Sequence, residues 1–185
     1  MAAGGIAAAI AATDANTAEG AASLVATVDS VRAELLGAHE DVDTVLAGLN
    51  YPMTTAGGIL LLEIKARATT PGSAQRVPFF QNARRLLLSA SFEQIKHVKK
   101  AFLFVCRQFA EDAIALGAAL QAVRPLEAVL HATTSSRWCL TSVHTDFLQV
   151  CLSAKAYKAA ARLAEVDVFE VESNKALYQP LDFVR

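Results

Sequence analysis

Leu140-Thr141-Ser142-Val143-His144-Thr145-Asp146-Phe147-Leu148-Gln149-Val150-Cys151-Leu152-Ser153, followed by Ala154-Lys155-Ala156-Tyr157-Lys158-Ala159-Ala160, decides the fold. Leu140, His144, Phe147 and Cys151 recur at spacings of three and four, which places them on one face of a helix. The turn that follows sets an aromatic between small residues, the rhythm with which helical repeats join two antiparallel helices. A helix pair of this kind cannot bury its apolar face alone. It therefore predicts neighbours stacked against it and an extended surface left for partners.

Outward from this stretch, the chain repeats the same theme. Leu24, Val28, Val31 and Leu35 make one helical stripe ending near Gly37. Asp41 can cap a second segment carrying Val42, Val45, Leu46 and Leu49, which Asn50-Tyr51-Pro52 stops. The Ile59-Leu60-Leu61-Leu62 run is apolar nearly all round, so its helix is expected to be sandwiched between neighbours. Thr69-Thr70-Pro71-Gly72-Ser73 reads as a loop, after which Phe79, Phe80, Ala83, Leu86 and Leu87 restore helical spacing. Ser91 and Gln94 form a capping-box signature for what reads as the longest helix, whose stripe runs through Ile95, Val98, Phe102, Val105, Phe109, Ala113 and Leu116 to Gly117. Ala119 to His131 is amphipathic and contains Pro125, which must sit in its first turns or kink it. Val166 to Glu172 alternates like a strand but has no second strand to join, so it reads as an extended connector.

The fold class expected is all-α: an irregular right-handed α-solenoid of antiparallel helix pairs. It divides into an Ala/Gly-rich, weakly ordered lead-in over residues 1–20, a helical-repeat domain over 21–165, and an extended connector over 166–185 that begins the next repeat.

Composition narrows the functional classes. A net charge of −1 from 17 Lys and Arg against 18 Asp and Glu offers no footprint for a phosphate backbone, so nucleic acid is not an expected partner. Hydrophobic residues reach 54% and mean hydropathy is +0.33, but much of this is alanine, which favours helix. The most apolar stretches are broken by Glu63 and Lys65, or by Arg107, Glu111 and Asp112, so no membrane span is expected. The first residues lack the basic start of a secretory signal and the arginines of a transit peptide. Three cysteines without CxxC spacing fit reduced thiols in the cytoplasm or nucleus.

Catalytic and metal readings each fail on spacing. His144 and Asp146, two apart on a helix, do not face one another. His144 reads as a core or groove histidine with one hydrogen-bonded nitrogen. Zinc at His144 and Cys151 would need two more ligands from Cys106, Cys139, His97 or His131, and no local spacing assembles them. Gly57-Gly58 before a helix lacks the Lys-Ser/Thr of a phosphate loop and reads as close helix packing. Cys139 beside Trp138 could act as a nucleophile only with a base that the sequence does not supply, so no cofactor and no catalysis are expected. Lys96, Lys99, Lys100 and Arg107, extended by Arg84-Arg85, form the most basic face. Glu93, Glu111 and Asp112 share it, giving a solvated surface that could face an acidic protein partner.

Three separated blocks carry a resemblance. Val42-Asp43-Thr44-Val45-Leu46-Ala47-Gly48-Leu49, Leu116-Gly117 to Pro125-Leu126, and above all Leu140-Thr141, His144-x-Asp146, Gln149-x-Cys151-Leu152-x-Ala154-Lys155 and Tyr157-Lys158 look like the N-terminal region of the COP-9 signalosome subunit three family. The order and separation of the blocks agree with that family. Ala118-Ala119 and Gln121 depart from it, standing where Pro and Arg are usual. The resemblance implies tetratricopeptide-like repeats leading into a winged-helix domain, before which this chain stops. It also implies a non-catalytic scaffold that meets other signalosome subunits and, indirectly, the cullin-RING ligases from which that complex removes the ubiquitin-like modifier Nedd8. The related readings are a scaffold subunit of the proteasome lid or of translation initiation factor three. The reading from another class is a small zinc- or thiol-dependent enzyme. In the scaffold reading, Phe147, Val150 and Leu152 hold the last helix pair to its neighbours and Tyr157 wedges the turn.

Overall fold

Helix-favouring sequence with apolar stripes of period 3.6 builds ten helices among the residues described by this computed structural model, namely 2–133, 139–165 and 170–171. They are α1 (Ala2–Ala12), α2 (Ala18–Gly37), α3 (His39–Gly48), α4 (Tyr51–Ala68), α5 (Arg76–Ser89), α6 (Phe92–His97), α7 (Lys99–Ala115), α8 (Ala119–Thr133), α9 (Ser142–Ser153) and α10 (Tyr157–Ala164). Helices α2, α4, α7 and α9 pack in sequence as one layer, while α3, α5, α8 and α10 each fold back as antiparallel partners to make the other. The result is four helix pairs in a row. Their first helices begin at Ala18, Tyr51, Lys99 and Ser142, an uneven spacing that makes the array irregular. One apolar core runs through all of it, from Ile6 on α1 to Cys151 on α9.

Helix α4 occupies the centre, as its all-round apolar run requires: every residue from Thr54 to Ala66 is buried. Gly57 and Gly58 serve close packing there. A Cβ on Gly57 would sit 2.5 Å from Ile10 Cγ2 of α1, and one on Gly58 would sit 2.7 Å from Leu86 Cδ1 of α5.

The two last helix pairs are joined in the same way. At the end of α7, Gly117 takes a φ of 67° and the Ala118 N–H donates to Ala113 O. At the end of α9, Lys155 takes a φ of 56° and the Ala156 N–H donates to Cys151 O. Both are left-handed helix stops that satisfy a terminal carbonyl, one built on glycine and one on lysine. Pro125 lies inside α8, which continues through it.

Four expectations are corrected. Residues 1–20 are not a loose lead-in throughout. Ile6 and Ile10 put two large side chains on one face of α1, and burying them against α2, α3 and α4 holds the alanine-rich segment in place. The helix expected from Ser91 to Gly117 breaks at Val98 (φ −122°, ψ 29°), and Ser91 makes no side-chain cap. Asp41 lies in the first turn of α3, which starts at His39 without a side-chain cap. Of the Val166 to Glu172 stretch, the described Glu170–Val171 does find a strand partner, pairing in parallel with Cys139–Leu140 across the α9–α10 crossover, and the rest of the expected 166–185 connector lies outside the described residues.

Candidate functional site

The Leu140 to Lys158 motif divides along the helix axis into a buried start and an exposed end. Thr141 takes extended backbone angles and opens α9, where the Thr141 N–H donates to His144 Nδ1 at 3.0 Å. This is the reciprocal arm of a capping box, with histidine in the place usually held by Glu or Gln. Thr141 Oγ1 lies 2.9 Å from the same nitrogen. An Nδ1 that accepts a backbone N–H carries no proton, so the imidazole is neutral with its hydrogen on Nε2. Burial pushes its pKa below the ordinary histidine value in the same direction.

Phe147, Val150 and Cys151 complete the inward face of α9 against α7 and α8. Asp146 is also buried, with Oδ1 3.7 Å from Arg107 Nε of α7, so the acidic half of the His-x-Asp motif faces α7. Leu140 and Gln149 are half-buried, as is Ala154. Beyond Cys151 the motif turns outward: Leu152 and Tyr157 are each 60% exposed, and Lys155 and Lys158 are exposed as well. The expectation that Leu152 anchors and Tyr157 wedges the last pair is therefore corrected. The anchors are Phe147 and Val150, helped by the half-buried Ala159, Ala160 and Leu163 of α10, while the backbone stop at Lys155 shapes the turn.

The basic residues do not share one face. Lys96 lies on α6 and is paired with Glu93 at 2.8 Å; Lys99 and Lys100 lie beyond the Val98 break, and Arg107 turns toward α9. Arg84 and Arg85 belong to the other layer, on α5.

Asp112 is not part of a solvated surface at all. Fully buried, it accepts from the Gly72 N–H at 2.9 Å and from Arg76 Nη1 at 2.9 Å. Arg76, 1% exposed, also donates through Nη2 to Ala66 O, Thr69 O and Gln108 Oε1. One guanidinium thus closes the carbonyl end of α4 and ties the α4–α5 loop to α7. Burial pushes the Asp112 carboxyl above the usual aspartate value, and the Gly72 N–H and Arg76 oppose that shift. Sequence reading missed this pair. The available signal was that α5 contains no acidic residue with which Arg76 could pair locally.

A second clip went unseen. Helix α4 is kinked at Thr54 (φ −125°, ψ 32°), and the buried Gln94 spans the break, accepting from Ala56 N–H at 3.0 Å and donating to Met53 O at 2.9 Å. The side chain expected to cap its own helix mends another.

Burial also decides the thiol question. Cys106 and Cys151 are free and buried, and desolvation raises both thiols above the ordinary value, which keeps them protonated and weakly nucleophilic. The Cys139 side chain, with Trp138 beside it, and the imidazole of His131 lie outside the described residues. Among the described residues no three His, Cys, Asp or Glu side chains converge to hold a metal ion, and no helix is long and apolar enough to cross a membrane.

Two layers of helix pairs stacked in a row are the architecture of a helical-repeat array. The family model for the N-terminal helical repeats of COP9 signalosome complex subunit 3 matches residues 19–185. The chain belongs to that family. Among curated members, subunit 3 of Arabidopsis thaliana is 33% identical over 99 residues, covering 54% of this chain and 22% of its own length. Subunit 3 of Dictyostelium discoideum is 24% identical over 140 residues, covering 75% of this chain and 33% of its own length. This member of the subunit 3 family thus spans about a third or less of those relatives. No solved structure shows significant similarity to it.

Proposed function

We propose that this chain is a non-catalytic scaffold element of the COP9 signalosome, acting in the cytoplasm and nucleus through protein–protein contacts with other subunits. Through them it contributes to an assembly that removes Nedd8 from cullin-RING ligases. The observation that carries the reading is the family match over nearly the whole repeat array, from α2 onward. A row of helix pairs supports it physically, because each pair leaves an open flank to a neighbour instead of enclosing a reaction chamber. The raised thiols of Cys106 and Cys151 speak against a cysteine enzyme at either position.

Co-expression of the tagged chain with the remaining signalosome subunits, followed by affinity capture and size exclusion, tests the proposal. Stoichiometric retention of signalosome subunits is expected. Retention of proteasome-lid or initiation-factor subunits in their place, or of none, would overturn it.

A further inference from the structure

The layer formed by α3, α5, α8 and α10 divides its charge in a way that overall composition hides. Helix α3 holds three acidic residues and no Arg or Lys, whereas α5, α8 and α10 together hold six Arg or Lys residues and one acidic residue, Glu127, within a chain of net charge −1. The facing layer of α2, α4, α7 and α9 is balanced, with six basic residues against seven acidic ones. Of the six, Arg76 is consumed internally by Asp112, and Arg162 pairs with Glu127 at 2.9 Å. Arg84, Arg85, Arg124 and Lys158 remain as excess positive charge, and all four are exposed.

The exposed stripes are also partly apolar. On α5, Leu88 is 44% exposed and stands one turn from Arg84 and Arg85; on α8, Leu120 is 72% exposed and stands one turn before Arg124. Helices α5 and α8 pack side by side and both lean on α7, burying Phe79, Ala83 and Leu86 of one and Ala122, Leu126 and Val129 of the other. Their opposite stripes therefore lie next to each other on the outer surface. Leucines set one turn from arginines match a partner that brings apolar anchors and carboxylates at the same helical spacing.

We infer that the outer face of α5 and α8, continued by Lys158 on α10, is a docking surface for an acidic amphipathic helical segment of a partner protein. Leu88 and Leu120 receive its apolar side chains, and Arg84, Arg85 and Arg124 receive its carboxylates. The inference does not depend on which complex the chain joins. Neither stripe carries a carboxylate to repel such a segment, since Glu127 is engaged by Arg162.

The test titrates the isotope-labelled chain with a synthetic peptide bearing leucines at i, i+3, i+4 and i+7 and glutamates between, read by amide chemical shifts. Saturable binding is expected, with the largest shifts on α5 and α8 and a loss of roughly tenfold in affinity for Arg84→Glu/Arg124→Glu. Arg84→Gln/Arg124→Gln should give a smaller loss, and thermal melting checks that both variants stay folded. A scrambled peptide of the same composition, a DNA duplex and phosphatidylserine vesicles complete the set, and all three should bind more weakly. Equal binding of any of the three would show charge attraction alone and overturn the inference. So would shifts confined to other helices, unchanged affinity in both variants, or no binding.

Discussion

Replacing Arg76 with methionine removes the charge that Asp112 was buried against, while keeping most of the side-chain volume. The variant loses the 2.9 Å ion pair and the donors to Ala66 O and Thr69 O at the end of α4, while Asp112 keeps the Gly72 N–H at 2.9 Å. Breaking one side of a fully buried pair costs roughly 3–5 kcal/mol, a large share of the 5–15 kcal/mol typical of a domain. With a urea slope of about 2 kcal/mol/M, a loss of about 4 kcal/mol moves the unfolding midpoint down by about 2 M. The assay is urea unfolding followed by circular dichroism. Acidity supplies a second, independent signature. The Asp112 carboxyl already sits above its usual value, so without the guanidinium the folded state binds a proton more tightly than the unfolded chain does. The variant's deficit should therefore shrink as the pH is lowered from 7 toward 5. Arg76→Met/Asp112→Leu should recover part of the loss, though not all, because the α4 carbonyls stay without their donor. A midpoint within about 0.5 M of the parent for Arg76→Met would refute the reasoning, as would a double variant as unstable as the sum of the two singles.

Three further outcomes follow from the same geometry. Gln94→Leu removes the side-chain partner of the Ala56 N–H and of Met53 O at the α4 kink and should cost roughly 1–3 kcal/mol, with faster amide exchange at Ala56 than at Leu61; equal protection at both would contradict the clip. Gly57→Ala gains about 1 kcal/mol of helix propensity but drives a Cβ into Ile10, so it should be destabilising alone and near neutral or stabilising beside Ile10→Ala, as a double-mutant cycle in thermal melts would show. Because folding holds the His144 pKa below its unfolded value, stability should be full above about pH 6.5 and fall on acidification below it; His144→Gln, which keeps a capping-box acceptor, should lose that part of the slope, and an unchanged slope would sink the assignment.

The helices and their pairing were legible because alanine and leucine repeat at the helical period, and because the Ala154 to Ala160 turn marks α9 and α10 almost to the residue. The all-α class and the subunit 3 family stood on the same stretch. What periodicity could not reveal was phase and partner. The apolar stripe through Ile95, Val98 and Phe102 continues across the break at Val98, since apolar spacing alone does not record a one-residue departure from helical angles. Alanine and glycine around Ile6 and Ile10 looked featureless, yet two isoleucines one turn apart are enough to seat α1 when Gly57 opens room for one of them. Asp112 looked solvated among Lys99, Lys100 and Glu111, because its partner lies 36 residues away in another helix pair. Tyr157 suggested a wedge by its type, but the backbone stop at Lys155 makes the turn without it.

Three of the buried polar groups stand where the helices of the array break. Gln94 meets the kink at Thr54, Arg76 the carbonyl end of α4, and His144 the amide end of α9. Each supplies a partner for backbone groups that an uninterrupted helix would satisfy itself. Uneven repeats need such clips, because a kink or an early stop inside the core strands amides and carbonyls where water cannot reach them. Lengthening or regularising one pair by design would therefore remove the need for its clip and leave a buried Gln or Arg without purpose. In this chain the uneven starts of the helix pairs at Ala18, Tyr51, Lys99 and Ser142 go with polar side chains that satisfy the backbone groups exposed at three of the interruptions.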